Sequence, residues 1–428
     1  MHLPKKGQAF CSQNREVVKI GELTVQDTGA PWEVGVMNSR PGSLMDLRDR
    51  QLSVVDSPAA WRRLGFAVAV STIGSVGVWS VPVALPFVQA DFGITRAEVS
   101  LPYTLAMTGF ALGGIAMGRL CDSFGVVVAV VLGSLALGIG FVGASLVQTP
   151  LMFALMHLFI GVGASATFGP LLADMSQWFM RHRGIAVGIA ASGNYIGGAL
   201  WPPVLQQAMA TEGWRHTYLG AGIFCALATL PFVFALRRAH PIAWMLEAAN
   251  TGSARNLGVS PNAPMVLLCV AGLACCVAMA MPQVHIVAYC GDLGYGPARG
   301  AEMLSAMLGF GIVSRIGSGL IADRLGATPT LLIGSVLQGI ALFLYLLFNG
   351  LVSLYVISAL FGLFQGGIVP MYAIIVREHF SPKEVGVRIG IVLMATLFGM
   401  ALGGWMSGII FDHTGSYRVA FLNGLIGT

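Results

Sequence analysis

Charge is what this chain has least of. Only 10% of its 428 residues are Asp, Glu, Lys or Arg, where soluble domains carry about 25%. So few charges exclude a water-soluble globule of this length. The basic residues leave a formal net charge of +5 but form no patch, so nucleic acid is not an expected partner. Seven cysteines, at positions 11, 121, 225, 269, 275, 276 and 290, lack metal-ligand spacing and any disulfide framework. They read as small apolar packing groups. With no nucleophile–base pair, metal cluster or cofactor motif, the chain offers no basis for an enzyme. Residues 1–63 hold nine Lys/Arg, seven Asp/Glu and no apolar run, which excludes a secretory leader there.

What is abundant is hydrocarbon. Apolar residues make up 56% of the chain, glycine accounts for 56 positions, and mean hydropathy is +0.77. From Leu64 onward, apolar runs of near-spanning length alternate with short polar breaks: 65–90, 99–119, 125–147, 151–175, 184–209, 217–236, 264–290, 300–321, 328–348, 351–376, 385–411 and 417–428. This pattern predicts an all-α membrane protein of twelve transmembrane helices. The last run is short, about 18 Å of helix against a core of about 30 Å, and is expected to be incomplete or clipped. Of the 24 Lys and Arg, only Arg96, Arg215, Arg299 and Arg418 fall on one side of the spans once the N-terminus is set on the other. The positive-inside rule therefore puts the N-terminus in the cytoplasm. The expected organisation is a disordered cytoplasmic tail (1–63), a six-helix half (64–236), a central cytoplasmic loop (237–263) and a second six-helix half (264–428). Removal of the tail to about residue 60 is expected to leave insertion and uptake intact.

The halves resemble each other. The second span ends GRLCDSFG, with Gly118, Asp122 and Gly125, and the eighth ends GLIADRLG, with Gly319, Asp323 and Gly326. Both follow G-x3-D-x2-G, 201 residues apart. The fifth and eleventh spans open after Arg183 and Arg388, 205 residues apart. GWRHTY and GSYRVAF stand near the sixth and twelfth. Parallel six-helix repeats put substrate near the midplane between the halves.

With these motifs, residues 65–428 resemble the major facilitator superfamily. The second loop-motif copy fits well. The first departs, with Ser123, Val126 and Val127 where the family favours other groups, which implies a thinner charge network in the first half. The stretches VWSVPVALPFVQADFGITRAEVS (78–100) and WFMRHRGIAVGIAASGNYIGG (178–198), with the spacing R-x3-G-x3-D at Arg315, Gly319 and Asp323, are similar to the monocarboxylate transporters and oxalate/formate antiporters. The resemblance implies a multi-pass cell-membrane carrier, expected as a monomer among lipids, with a small carboxylate as substrate and protons as possible partners. Asp122 and Asp323, with Gly118 and Gly319, would then form gates between the halves.

Arg315 is the polar residue most in need of explanation, because an arginine inside an apolar run costs about 2.5–3.5 kcal/mol to insert. It lies about 12 Å of helix from Asp323 and about 24 Å from Arg299. Its planar fork suits a carboxylate bidentately. The alternative is that it snorkels to the nearer face or pairs with Asp174. His285 is a second candidate, for a carboxylate or a coupling proton, or else a histidine bonded to a neighbouring helix. Asn194, Tyr195, Gln365 and Tyr372 are polar groups that line the cavity or serve helix packing. Asp174 is expected to neutralise Arg181 or Arg183 at the cytoplasmic end, as part of a gate. Compared with animal-type carriers, the first span lacks a lysine and Gly311 stands four residues before Arg315 in place of an acid. Compared with oxalate exchangers, the eleventh span lacks a lysine. One fixed cation suits one carboxylate, which favours a monocarboxylate over oxalate. An organic-anion exchanger, a drug or amphiphile exporter on the same fold, and a non-transporting sensor remain as alternatives.

Overall fold

The computed structural model describes residues 55–237, 262–380 and 384–428, without the side chain of Arg183. The expected tail up to residue 54 and most of the expected central loop lie outside them. The described residues are helical throughout, with no strand. In the first half, α1 (Pro58–Gly74) and α2 (Val76–Phe92) form one rod, followed by α3 (Arg96–Phe124) and α4 (Val126–Leu146). A second broken rod, α5 (Pro150–Ala166) and α6 (Gly169–Trp178), precedes α7 (Arg183–Glu212) and the pair α8 (Trp214–Ala228) and α9 (Leu230–Ala235). The second half runs α10 (Asn262–Asp292), α11 (Pro297–Leu325), α12 (Ala327–Leu347), the broken rod α13 (Leu351–Gln365) and α14 (Ile368–His379), α15 (Val385–Thr414) and α16 (Arg418–Gly427).

Ten of these rods are long and apolar enough to cross a membrane. The other two are α16, which is short, and α7, whose 30 residues include Asn194, Gln206, Gln207 and several glycines that dilute its hydropathy. Large apolar side chains such as Leu146, Val266, Leu267, Val336 and Val352 point outward and are exposed. That is the inverse of a soluble surface and suits hydrocarbon.

The repeat is visible in backbone detail. Both copies of G-x3-D-x2-G end in a glycine of positive φ, Gly125 at 85° and Gly326 at 91°, a conformation that costs glycine nothing. Each turns the chain from one rod directly into the next, α3 into α4 and α11 into α12. The fourth and tenth rods break at the same repeat position. Pro170 and Pro370 lack the N–H that would bond to the carbonyls of Ala166 and Gly366, so α5 and α13 end there.

Packing differs between the two ends of the bundle. A large apolar cluster takes Trp79, Tyr103 and Met107 from the first half together with Met281, Val284, Met307 and Leu308 from the second. Toward the end that carries the two loop motifs, each half instead closes on its own cluster. The first half's contains Leu64, Leu171, Trp178 and Phe179, and the second half's contains Met265, Leu331, Met371 and Tyr372. The halves therefore share one core near one end, here the latch end, and keep separate cores at the motif end.

The first rod begins earlier than the sequence suggests. Ser57 caps α1 by accepting from Ala60 N at 3.3 Å, and residues expected in the tail, among them Ala60 and Arg63, are buried.

Candidate functional site: an arginine between two unequal ends

At the latch end, an ion pair and two carboxylate–amide bonds join the halves. Thr95 and Glu98 form a capping box at the start of α3, which presents the first amides of that helix. Asp412 of α15, from the other half, accepts them: Arg96 N at 2.8 Å and Ala97 N at 2.7 Å. A carboxylate there also meets the positive end of the helix dipole. The Arg96 guanidinium is buried and donates to Asp292 of α10 at 2.8 and 3.0 Å. It lies 4.8 Å above the Phe411 ring. Sequence reading placed Arg96 merely on the far side of the spans and missed its role. The only available signal was an arginine beside a capping box, with acids at the ends of two other spans.

Farther in, contacts between the halves continue along two seams. Thr104 of α3 donates to Ala401 O of α15 at 3.0 Å, and Ser305 of α11 donates to Ala199 O of α7. The second seam reaches Arg315, whose Nη1 donates to Ala191 O of α7 at 2.9 Å. Its guanidinium carbon lies 4.0 Å from the Tyr195 ring centroid. Arg315 forms no ion pair among the described residues, and its Nε is buried without a hydrogen-bond partner. One and two turns beyond Arg315 lie Gly319 and Asp323 of the second motif. Asp122 and Asp323 are exposed, and a side chain added at Gly118 or Gly319 would meet open space. The two motif aspartates are thus exposed in this conformation, while Arg96, Asp292 and Asp412 join the halves at the opposite end.

Asp174 does not partner Arg315. Its two oxygens take Nε and Nη2 of Arg63 at 2.7 and 2.9 Å, both side chains are almost fully buried, and Arg63 also stacks 4.5 Å over Trp178. Sequence reading assigned Asp174 to the Arg181–Arg183 loop and did not name Arg63 as its partner. The missed partner sat in a segment read as tail. Asp56 orders that loop instead, by accepting from the amides of Met180, Arg181 and His182 at 3.2, 2.9 and 3.3 Å. Burial pushes the Asp56 carboxyl up, but these bonds outweigh it and hold the group below its usual range.

Two expected cavity residues lie inside packed cores. His285 is buried, with Nδ1 2.9 Å from Tyr417 Oη and Nε2 2.8 Å from Gly404 O. Gly404 can only accept, so Nε2 carries the proton and Nδ1 accepts from Tyr417. Both nitrogens of a neutral ring are thereby used. His157 is held alike, between Phe153 O and Tyr218 Oη at 2.7 and 3.2 Å. Tyr218 and Tyr417 belong to the repeated GWRHTY and GSYRVAF stretches, so each half closes its last rod on a buried histidine. Tyr372 packs among Met371, Cys275, Cys276 and Met279. Asn194 is half-buried on α7 beside Tyr195, and its carbonyl accepts from Trp79 Nε1 at 3.2 Å. Gln283 and Gln365, both buried, share one hydrogen bond of 2.9 Å and leave one oxygen and one nitrogen without partners.

Two repeated six-rod halves that share a core toward one end and keep separate cores at the other, with an arginine between them that no described carboxylate pairs with, have the architecture of a membrane transporter. The chain matches the Major Facilitator Superfamily over residues 67–348 and 266–428 and belongs to that family. It is 26% identical to "Monocarboxylate transporter 13" of Bos taurus across 83% of this chain and 82% of that protein. It is also 26% identical to "Monocarboxylate transporter 11" of Homo sapiens, across 86% and 80%. A fungal relative, "MFS-type transporter pynF" of Aspergillus niger, is 24% identical over 75% and 74%. In fold it is similar to the nucleoside transporter NupG, with a TM-score of 0.69 over 86% of this chain and 96% of that one at 14% identity.

Proposed function

We propose that this transporter moves a small organic monocarboxylate across the cell membrane by alternating access. The observation that carries the reading is Arg315: a half-buried guanidinium, between the halves, whose charge no described carboxylate neutralises. A buried cation without a partner is costly, and a bound carboxylate is the ligand that would relieve that cost through two parallel hydrogen bonds. The names of the mammalian relatives support the same substrate class. In this reading the rods other than the short α16 span the membrane, and the Lys and Arg bias sets the N-terminus and the motif end in the cytoplasm. The conformation described above is then open to the cytoplasm and latched outside. Substrate leaves past Asp122 and Asp323, and the motif end closes as the latch parts.

A proton travelling with the anion removes the cost of moving a lone negative charge against an inside-negative potential, about 2.3 kcal/mol per 100 mV. A second reading, exchange of one organic anion for another, is favoured by Gly311. With no acid in that position, Arg315 has no neighbouring carboxyl to carry a proton. Purified protein in liposomes separates the two. With radiolabelled pyruvate and lactate, an inward proton gradient drives uptake in symport, whereas internal unlabelled anion drives it in exchange. Uptake of neither acid under either condition would refute the monocarboxylate reading.

A further inference from the structure

The Tyr195 ring stands under Arg315 because Gly311 has no side chain. Tyr195 comes from α7 in the first half and is only 6% exposed. Arg315 and Gly311 lie one turn apart on α11 in the second half. A Cβ added at Gly311 would collide with Cδ1 and Cε1 of Tyr195. The ring therefore occupies the volume that any other residue at 311 would claim, and from there its face reaches the guanidinium at 4.0 Å. The Ala191 carbonyl, one turn back on the same helix, holds Nη1. Ring and carbonyl together fix the plane of the fork. The donors left over include those of Nη2 and the unpartnered Nε, which form one side-on edge.

We infer that Tyr195, seated in the Gly311 gap, is the positioning residue that orients Arg315, so that its Nε–Nη2 edge receives the carboxylate. This rests on the carboxylate reading of Arg315 and adds how the fork is aimed and by which half. Because the ring and the guanidinium belong to different halves, the same contact ties substrate binding on α11 to the position of α7. A cation stacked on an aromatic face away from water gains enough to matter for orientation. Tyr195 touches no substrate in this scheme and acts through Arg315.

Uptake and thermal melting test it together. Tyr195→Leu should raise the half-saturating concentration of pyruvate or lactate about tenfold, the equivalent of one desolvated cation–π contact, with little change in the maximal rate. Tyr195→Phe keeps the ring face and should restore most of that affinity. Gly311→Ala should mimic Tyr195→Leu by displacing the ring, and the double variant Gly311→Ala/Tyr195→Leu should be no worse than either single one. Additive losses in that pair, or unchanged affinity in Tyr195→Leu, overturn the inference. Melting of Tyr195→Leu, Arg315→Met and their combination in detergent needs no substrate. Non-additive shifts support the contact, and additive shifts overturn it. Wild-type protein that takes up neither acid refutes the proposed function, while the melting cycle still decides the contact.

Discussion

The two ends of this bundle are built from similar parts and are in opposite conditions. At the latch end the acids are engaged across the halves: Asp412 holds the first amides of α3, and Asp292 holds Arg96. At the motif end the acids, Asp122 and Asp323, are exposed, and each half closes on a private core. A charge pair between the halves can form at only one end at a time if the halves move as rigid bodies. Under the alternating-access proposal, acids near the rod ends would act as alternating clasps, with the shared core lying toward the clasp that is engaged here.

The sharpest way to break the comparison is to remove what lies between the clasps. Arg315→Ala should abolish carboxylate uptake, more than a hundredfold, with normal expression, since an insertion cost is removed. Arg315→Lys should keep the charge but lose the fork and bind poorly. Near-normal pyruvate or lactate binding by the lysine variant would defeat the carboxylate fork. Next in size is the pair inside the first half. Asp174→Asn takes the bidentate counter-charge from a buried Arg63 and should destabilise the protein by about 3–5 kcal/mol. Arg63→Met added to it should recover part of the loss, as read by melting in detergent.

The clasps themselves come third and fourth. Arg96→Ala should loosen the latch, and a reporter cysteine at Thr104, just behind it in a background without native cysteines, should react about tenfold faster with a maleimide. Asp323→Asn removes a charge from the opposite clasp. It should slow turnover severalfold more than it weakens binding, and should make the same reporter less reactive. Reporter shifts of the same sign in both variants would undo the two-clasp comparison. The smallest effect is expected at Asp56. Asp56→Ala removes bonds to the turn before α7 and should cost about 1 kcal/mol in melting. Because its carboxyl is held below the usual range, that contribution is complete at neutral pH. It disappears only as pH falls through the lowered value.

Much of this was legible in the chain because it depends on local pattern. Long apolar runs gave the rods, and the G-x3-D-x2-G spacing gave the repeat, whose last glycines adopt the positive φ that the turn needs. Arg315 stood out because a cation in an apolar run has no local explanation. What escaped depends on partners distant in sequence. Arg63 looked like the end of a polar tail until Asp174, 111 residues away, came to face it. His285 stood open between a role toward substrate or proton and a bond to a neighbouring helix, because its partners, Gly404 and Tyr417, lie more than a hundred residues on. The breaks in the fourth and tenth rods were within reach, since Pro170 and Pro370 share one repeat position, but their apolar runs masked them. Tyr195 and Gly311 were each visible singly, and only packing shows that one fills the space the other leaves.

The Arg63–Asp174 pair also sets a timetable. A chain made at roughly 5–20 residues per second presents α1 to the bilayer while α6 is still unmade, so Arg63 waits roughly 5–20 s for its counter-charge. Its place makes the wait tolerable. Five residues into a helix that starts at Pro58, the guanidinium can reach the aqueous boundary along its own stem. The same arginine two turns deeper would face the bilayer alone for that interval. When α6 emerges the charge is drawn inward and stacked on Trp178, and the first rod is tied to the fourth. The ion pair therefore marks a moment in synthesis: the point at which four of the six rods of the first half are present and can begin to close on their own core.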